Sequence, residues 1–91
     1  MKIIRIGAIW CPGCLAMKKK WKNIAEKYPN LNMIDLDCDM DLEEIKKYNP
    51  GKLLPITIFL DKNNNELERL IGEQKEQTII DIIERKYHEK N

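Results

Sequence analysis

The sequence predicts a single α/β domain over residues 1–91, in the order βαβαββα, with a four-stranded mixed sheet and helices on both faces. Three observations carry this expectation. An isoleucine-rich segment runs into Cys11-Pro12-Gly13-Cys14 and then into a helical repeat; another apolar segment follows that helix; and two further apolar segments flank Asp61-Lys62-Asn63-Asn64-Asn65. An intervening helix makes the first two strands parallel, whereas a short loop makes the last two antiparallel.

Residues 2–9 are rich in isoleucine and bounded by a turn, as a buried strand requires. From Pro12 the period changes. Cys14, Met17, Trp21, Ile24, Ala25 and Tyr28 recur at three- and four-residue steps, with Lys18, Lys19, Lys22, Glu26 and Lys27 between them, which makes an amphipathic helix ending at Pro29-Asn30. Residues 31–37 alternate for part of their length and form the second strand. Asp41 with Glu44 three residues on is an acidic variant of the capping box, opening a short helix through Leu42, Ile45 and Tyr48 that Asn49-Pro50-Gly51 stops. Ile56-Thr57-Ile58-Phe59-Leu60 and residues 66–71 form a hairpin. Gly72 breaks the chain, and Ile79, Ile82, Ile83 and Tyr87 mark one face of a last helix running into a frayed, charged tail with His88.

Ninety-one residues can bury one core without staples. Charged residues make up 34% of the chain, but 16 Lys plus Arg nearly balance 15 Asp plus Glu, so no nucleic-acid partner is expected. The longest apolar stretches, such as residues 53–60, fall well short of the roughly 18 residues of a membrane span, so no membrane partner is expected either. The start carries no leader pattern, and three cysteines cannot close a disulfide framework. A cytoplasmic monomer is the expectation.

The chemistry lies in the Cys-x-x-Cys turn. Cys11 stands at a strand-to-helix junction with Pro12 at the first helical position, so Cys11 caps the helix and its free N–H groups favour a thiolate. Cys11 is the expected nucleophile. Cys14, one turn on, faces inward, stays protonated until a mixed disulfide forms, and then resolves it to a Cys11–Cys14 disulfide.

Trp10 directly precedes Cys11, and Leu54-Pro55-Ile56-Thr57-Ile58-Phe59 is an apolar strand opened by proline. Over nearly the whole chain these motifs resemble the thioredoxin family, in the thioredoxin-like branch without the extra N-terminal strand and helix. The resemblance implies a thioredoxin-like fold and a protein-disulfide reductase without a cofactor or metal, acting on protein disulfides and recharged by thioredoxin reductase or glutathione. It implies a cis Pro55 facing the turn, Leu54 touching substrate through its backbone, and Gly72 lining the same groove beside Pro12 and Gly13. Gly72 also reads as a plain strand terminator. Trp10, amphipathic and next to the reactive turn, is expected to cover the disulfide and meet partners.

The chain departs from the family in its reactive turn and in a buried charge. Proline comes first between the cysteines, an order more like glutaredoxins and some oxidases, which leaves the reduction potential open between about −270 and about −120 mV. Against glutaredoxin-like use of glutathione, Leu54 and Ile71-Gly72-Glu73-Gln74 lack the glutaredoxin pattern for it. The family's buried Asp, six residues before the first cysteine, moves the resolving thiol's proton, and Arg5 takes its place here. Asp35 falls where the family has a Lys. A swapped pair near Cys14, with Asp35 handling the proton, uses both residues; two solvated charges is the plainer expectation.

Cys38, among Asp35, Asp37 and Asp39, reads as a bystander thiol whose pKa those carboxylates raise. Trp21 reads as helix core. Lys18, Lys19, Lys20 and Lys22 either steer acidic partners or form a solvated face. Two other functions stay open: a soft-metal chaperone, against which stand the chain's ending on a helix and its lack of a second ligand pair, and a redox-sensing module without turnover.

Overall fold

The computed structural model describes residues 2–87. The elements are β1 (Lys2–Gly7), α1 (Pro12–Lys27), β2 (Asn32–Asp37), α2 (Leu42–Lys46), β3 (Ile56–Leu60), β4 (Glu66–Ile71) and α3 (Glu76–Ile82), which continues as a π-helical turn over Ile83–Tyr87. The sheet runs β2-β1-β3-β4, with β1 and β2 parallel and the other pairs antiparallel. This is the expected order and the expected mixed sheet. The charged tail and His88 lie outside the described residues.

Strand alternation divides the core between the two faces. Ile3 and Phe59 pack with Met17, Trp21 and Ile24 of α1 and Ile79 of α3, whereas Ile4, Ile6, Ile56, Ile58 and Leu60 pack with Ile45 of α2. All five residues of β3 are buried because it is central and covered on both faces. Asp61 holds the β3–β4 turn, its carboxylate accepting the N–H groups of Asn63 and Asn65 at 2.8 and 2.9 Å.

Five expectations are corrected. β1 stops at Gly7 rather than residue 9, because the Cys11 N–H donates to the Ala8 carbonyl at 3.2 Å and that turn throws Ile9 and Trp10 outward. β2 starts one residue later than expected, at Asn32. Asp41 and Glu44 form no capping box: the Asp41 side chain caps nothing in α2 and instead accepts the Asp37 N–H at 2.8 Å, closing the β2–α2 loop. Helix α2 is correspondingly short, with Leu42 exposed and Tyr48 beyond its end, and Ala25 of α1 is exposed too.

Candidate active site

The reactive turn is built by the start of α1. Cys11 is its N-cap in extended conformation (φ −85°, ψ 112°), Pro12 occupies the first turn, and the Cys14 N–H donates to Cys11 Sγ at 3.1 Å. A helix N-terminus has N–H groups without intrahelical partners, and here a sulfur takes one of them. Both cysteines are free thiols. Cys14 turns its sulfur toward β1, so closely that a methyl group on Gly7 would stand 2.9 Å from Cys14 Sγ. Even so, Cys11 is the more enclosed of the two, only 3% exposed, while Cys14 is half-buried. Burial pushes the Cys14 thiol up to about 11, and its hydrogen bond with Cys11 adds to the effect.

The other residues expected at the site converge on this turn. The Leu54–Pro55 bond is cis. Gly13 sits so near it that an added Cβ would meet Pro55 Cδ at 3.1 Å and the Leu54 carbonyl oxygen at 3.7 Å, so a side chain there would push the proline loop back by a few tenths of an ångström. Gly72, at φ +88°, donates its N–H to the Pro55 carbonyl at 2.8 Å. It thus does more than end β4: its left-handed backbone ties the third segment of the site to the proline loop. Leu54 is half-buried against the Ile4–Ile6 cluster, and Pro12 is exposed. Trp10 is 64% exposed, with its indole N–H anchored to Asp39 at 2.8 Å, so its ring is free to meet a partner while its polar end is held.

Arg5 and Asp35 do face each other. They are partners across β1 and β2, and the guanidinium donates through Nε and Nη2 to the two carboxylate oxygens at 2.5 and 2.8 Å. It also lies 5.1 Å over the ring of Trp21, which is core as expected. Arg5 is only 24% exposed and Asp35 70%, so the plainer expectation fails for Arg5 and holds in part for Asp35. A cavity of 330 Å³ joins the pair to Cys14 and Gly7. The groups acting on the Cys14 thiol, however, are Cys11, the Ala8 backbone and Cys38, and the pair is not among them.

Cys38, expected as a bystander thiol, is indeed pushed up, but first by burial and only then by Asp39 and Asp37, so the carboxylates are the lesser cause; its N–H donates to the Gly7 carbonyl at 2.8 Å. Sequence reasoning missed two residues. Gly7 is one; a glycine at a strand end marks a close approach, and that signal was present. Arg69 is the other: it donates to the Tyr48 and Asn49 carbonyls at 2.5 and 3.1 Å while pairing with Glu66, and so holds the end of the loop that leads to Leu54. Nothing local in the sequence announces that reach. Among the described residues no group of three or more His, Cys, Asp or Glu side chains is arranged to hold a metal ion, and no helix is long and apolar enough to cross a membrane.

The thioredoxin family model matches residues 1–85. The chain belongs to the thioredoxin family. Thioredoxin H5 of Oryza sativa subsp. japonica is 30% identical over 77% of the chain and 50% of its own length, and a thioredoxin of Ophiophagus hannah is 29% identical over 82% and 70%. The chain therefore spans half the length of the first relative. Reduced Schistosoma mansoni thioredoxin superposes with a TM-score of 0.80 at 25% identity, covering 92% of this chain and 76% of that one. The fold of this chain is thus the thioredoxin fold.

Proposed function

We propose that this thioredoxin-family chain is a thiol–disulfide oxidoreductase that reduces protein disulfides through Cys11 and Cys14. One observation carries the reading: Cys11 Sγ sits at the N-terminus of α1, accepting the Cys14 N–H at 3.1 Å, where the turn packs on the cis Pro55 loop. The Cys11 thiolate attacks one sulfur of a substrate disulfide, forming a mixed disulfide and expelling the other sulfur as a thiolate that takes up a proton. Cys14 then loses its proton and attacks Cys11 Sγ, releasing the second substrate thiol and leaving a Cys11–Cys14 disulfide. Two electrons pass from the dithiol to the substrate. A flavin-dependent thioredoxin reductase or glutathione returns them.

Protein substrates suit the surroundings. Ile9, Trp10, Leu53 and Ile71 are exposed apolar residues next in the chain to the site segments, a rim that favours an apolar stretch of polypeptide. Within this reading Leu54 and Gly72 offer backbone groups to the bound segment, and the Arg5–Asp35 pair serves the Cys14 proton through the shared cavity.

Cys14 gives the reading a pH signature. A thiol raised from 9.0 to about 11 is held neutral by the folded state, so in the reduced protein its thiolate absorbance emerges only near pH 11. Because the folded value is the higher one, the associated stability is full below pH 9 and is lost as pH rises toward 11. If Asp35 serves that proton, Asp35→Asn slows resolution of the mixed disulfide by roughly a hundredfold, the low end of general-base contributions. An unchanged exchange rate removes Asp35 from the mechanism and leaves the cysteines in place.

The deciding experiment equilibrates the pair against a glutathione buffer and measures its reduction potential, with metal content checked in the same sample. A value near about −270 mV marks a reductant that needs a strong donor, and one near about −200 mV or above points to glutathione coupling or an oxidant role. Bound metal with no disulfide formed overturns the proposal.

A further inference from the structure

The two sulfurs of the reactive turn are not equally open. Cys11 is 3% exposed, whereas Cys14 is half-buried and lines the 330 Å³ cavity, whose wall does not include Cys11. Gly7, Met17, Lys18, Asp35 and Asp37 share that wall with Cys14. Gly7 keeps the approach to the sulfur clear, since a methyl group there would stand 2.9 Å from Cys14 Sγ. Lys18 is exposed, one helical turn beyond Cys14 on the same face of α1. The volume lies at the small end of ligand pockets, which run from about 300 to about 1,000 Å³, so the cavity admits a small molecule and excludes a polypeptide. Arg5 and Lys18 stand against Asp35, Asp37 and Asp41 around it, so it selects by size and not by sign of charge.

The chemistry of the oxidised pair favours the same sulfur. Opening a Cys11–Cys14 disulfide at Cys14 expels Cys11 as a thiolate, and Cys11 Sγ sits at the N-terminus of α1, where the Cys14 N–H reaches it at 3.1 Å. Opening it at Cys11 expels Cys14 instead. Burial pushes that thiol up to about 11, which makes it the poorer leaving group. A protein substrate reaches the enclosed Cys11 with the help of contacts along the apolar rim of Trp10 and Leu53, both exposed. A small thiol makes too few of those contacts to open the turn.

Resting on the dithiol reading above, we infer that low-molecular-weight thiols reduce the oxidised pair by attacking Cys14 from the cavity, while protein disulfides are handled at Cys11 from the rim. The small thiolate forms a bond to Cys14 Sγ and breaks the Cys14–Cys11 bond, whose electron pair leaves on Cys11 Sγ. A second small thiolate then attacks the small-thiol sulfur of the adduct. It releases Cys14 as a thiolate, which takes up a proton, and forms a symmetrical small disulfide. Two small thiols are oxidised, and the protein pair regains two electrons.

The test mixes the oxidised chain with 2-mercaptoethanol, quenches early with excess N-ethylmaleimide, and locates both groups on Cys11 and Cys14 by tandem mass spectrometry. The expected product carries 2-mercaptoethanol on Cys14 and the maleimide on Cys11, roughly tenfold or more over the reverse arrangement. Lys18→Trp sets a large ring at an exposed position beside the cavity, so the variant keeps its fold. It is expected to slow reduction of the pair by 2-mercaptoethanol roughly tenfold or more, because exchange depends on access, and to leave reduction of insulin disulfides by the dithiol within about twofold. Adducts mainly on Cys11, an unchanged 2-mercaptoethanol rate in Lys18→Trp, or equal slowing of both reactions overturns the inference and leaves the dithiol reading standing. A chain that forms no Cys11–Cys14 disulfide overturns both.

Discussion

Cys11→Ser is expected to lower disulfide-reductase activity by a thousandfold or more, on the order of what removing a covalent nucleophile costs other enzymes. Serine keeps the size and the N-cap hydrogen bond from the Cys14 N–H, so the fold and the melting temperature should hardly move. What disappears is the attacking sulfur. Cys14→Ser gives the complementary result: Cys11 still attacks, but nothing resolves the product, so a mixed disulfide with substrate accumulates on Cys11 and survives non-reducing electrophoresis. The two variants together separate attack from resolution. Full activity in Cys11→Ser, or an adduct trapped on Cys14 in place of Cys11, would reverse the assigned roles.

Phe59→Ala is expected to cost about 3–5 kcal/mol of folding stability. Phe59 is 0% exposed on the central strand β3, and it packs with Ile3, Met17, Trp21, Ile24 and Ile79, which belong to three other elements. Removing the ring leaves a void that none of these can fill without moving a strand or a helix. A domain of this size has a total stability of only about 5–15 kcal/mol, so the variant should sit near the edge of folding. Urea denaturation checks this: the midpoint should fall sharply, whereas Leu53→Ala, at an exposed position, should shift stability by no more than about 0.5 kcal/mol. A loss below about 1 kcal/mol at Phe59 would mean that the core repacks around the hole.

The strands and helices were legible because their residues repeat with clear periods. Ile3, Ile4 and Ile6 divide between two faces as a buried central strand must, and Met17, Trp21 and Ile24 mark the one stripe of α1 that is covered. Loops were harder to read, since a polar side chain in a loop chooses among several nearby backbone groups. Asp41 had the spacing of a helix cap yet bonds back to Asp37, because closing the β2–α2 loop satisfies a strand-edge N–H that would otherwise have no partner. The turn at Ala8 shortened β1 for a similar local reason.

By itself the sequence determined the element order, the parallel and antiparallel connections, and the Cys-Pro-Gly-Cys turn at a strand-to-helix junction. Each of these depends on neighbours in the chain. Only the tertiary structure decided what meets across it: that Arg5 and Asp35 pair in register, that Gly7 makes room for the Cys14 sulfur, that Gly13 and Gly72 both touch the Pro55 loop, and that Arg69 holds the loop after α2. Such contacts join residues 7 to 42 positions apart, and local periodicity says nothing about them. They follow from strand register and helix placement, which packing against the shared core sets.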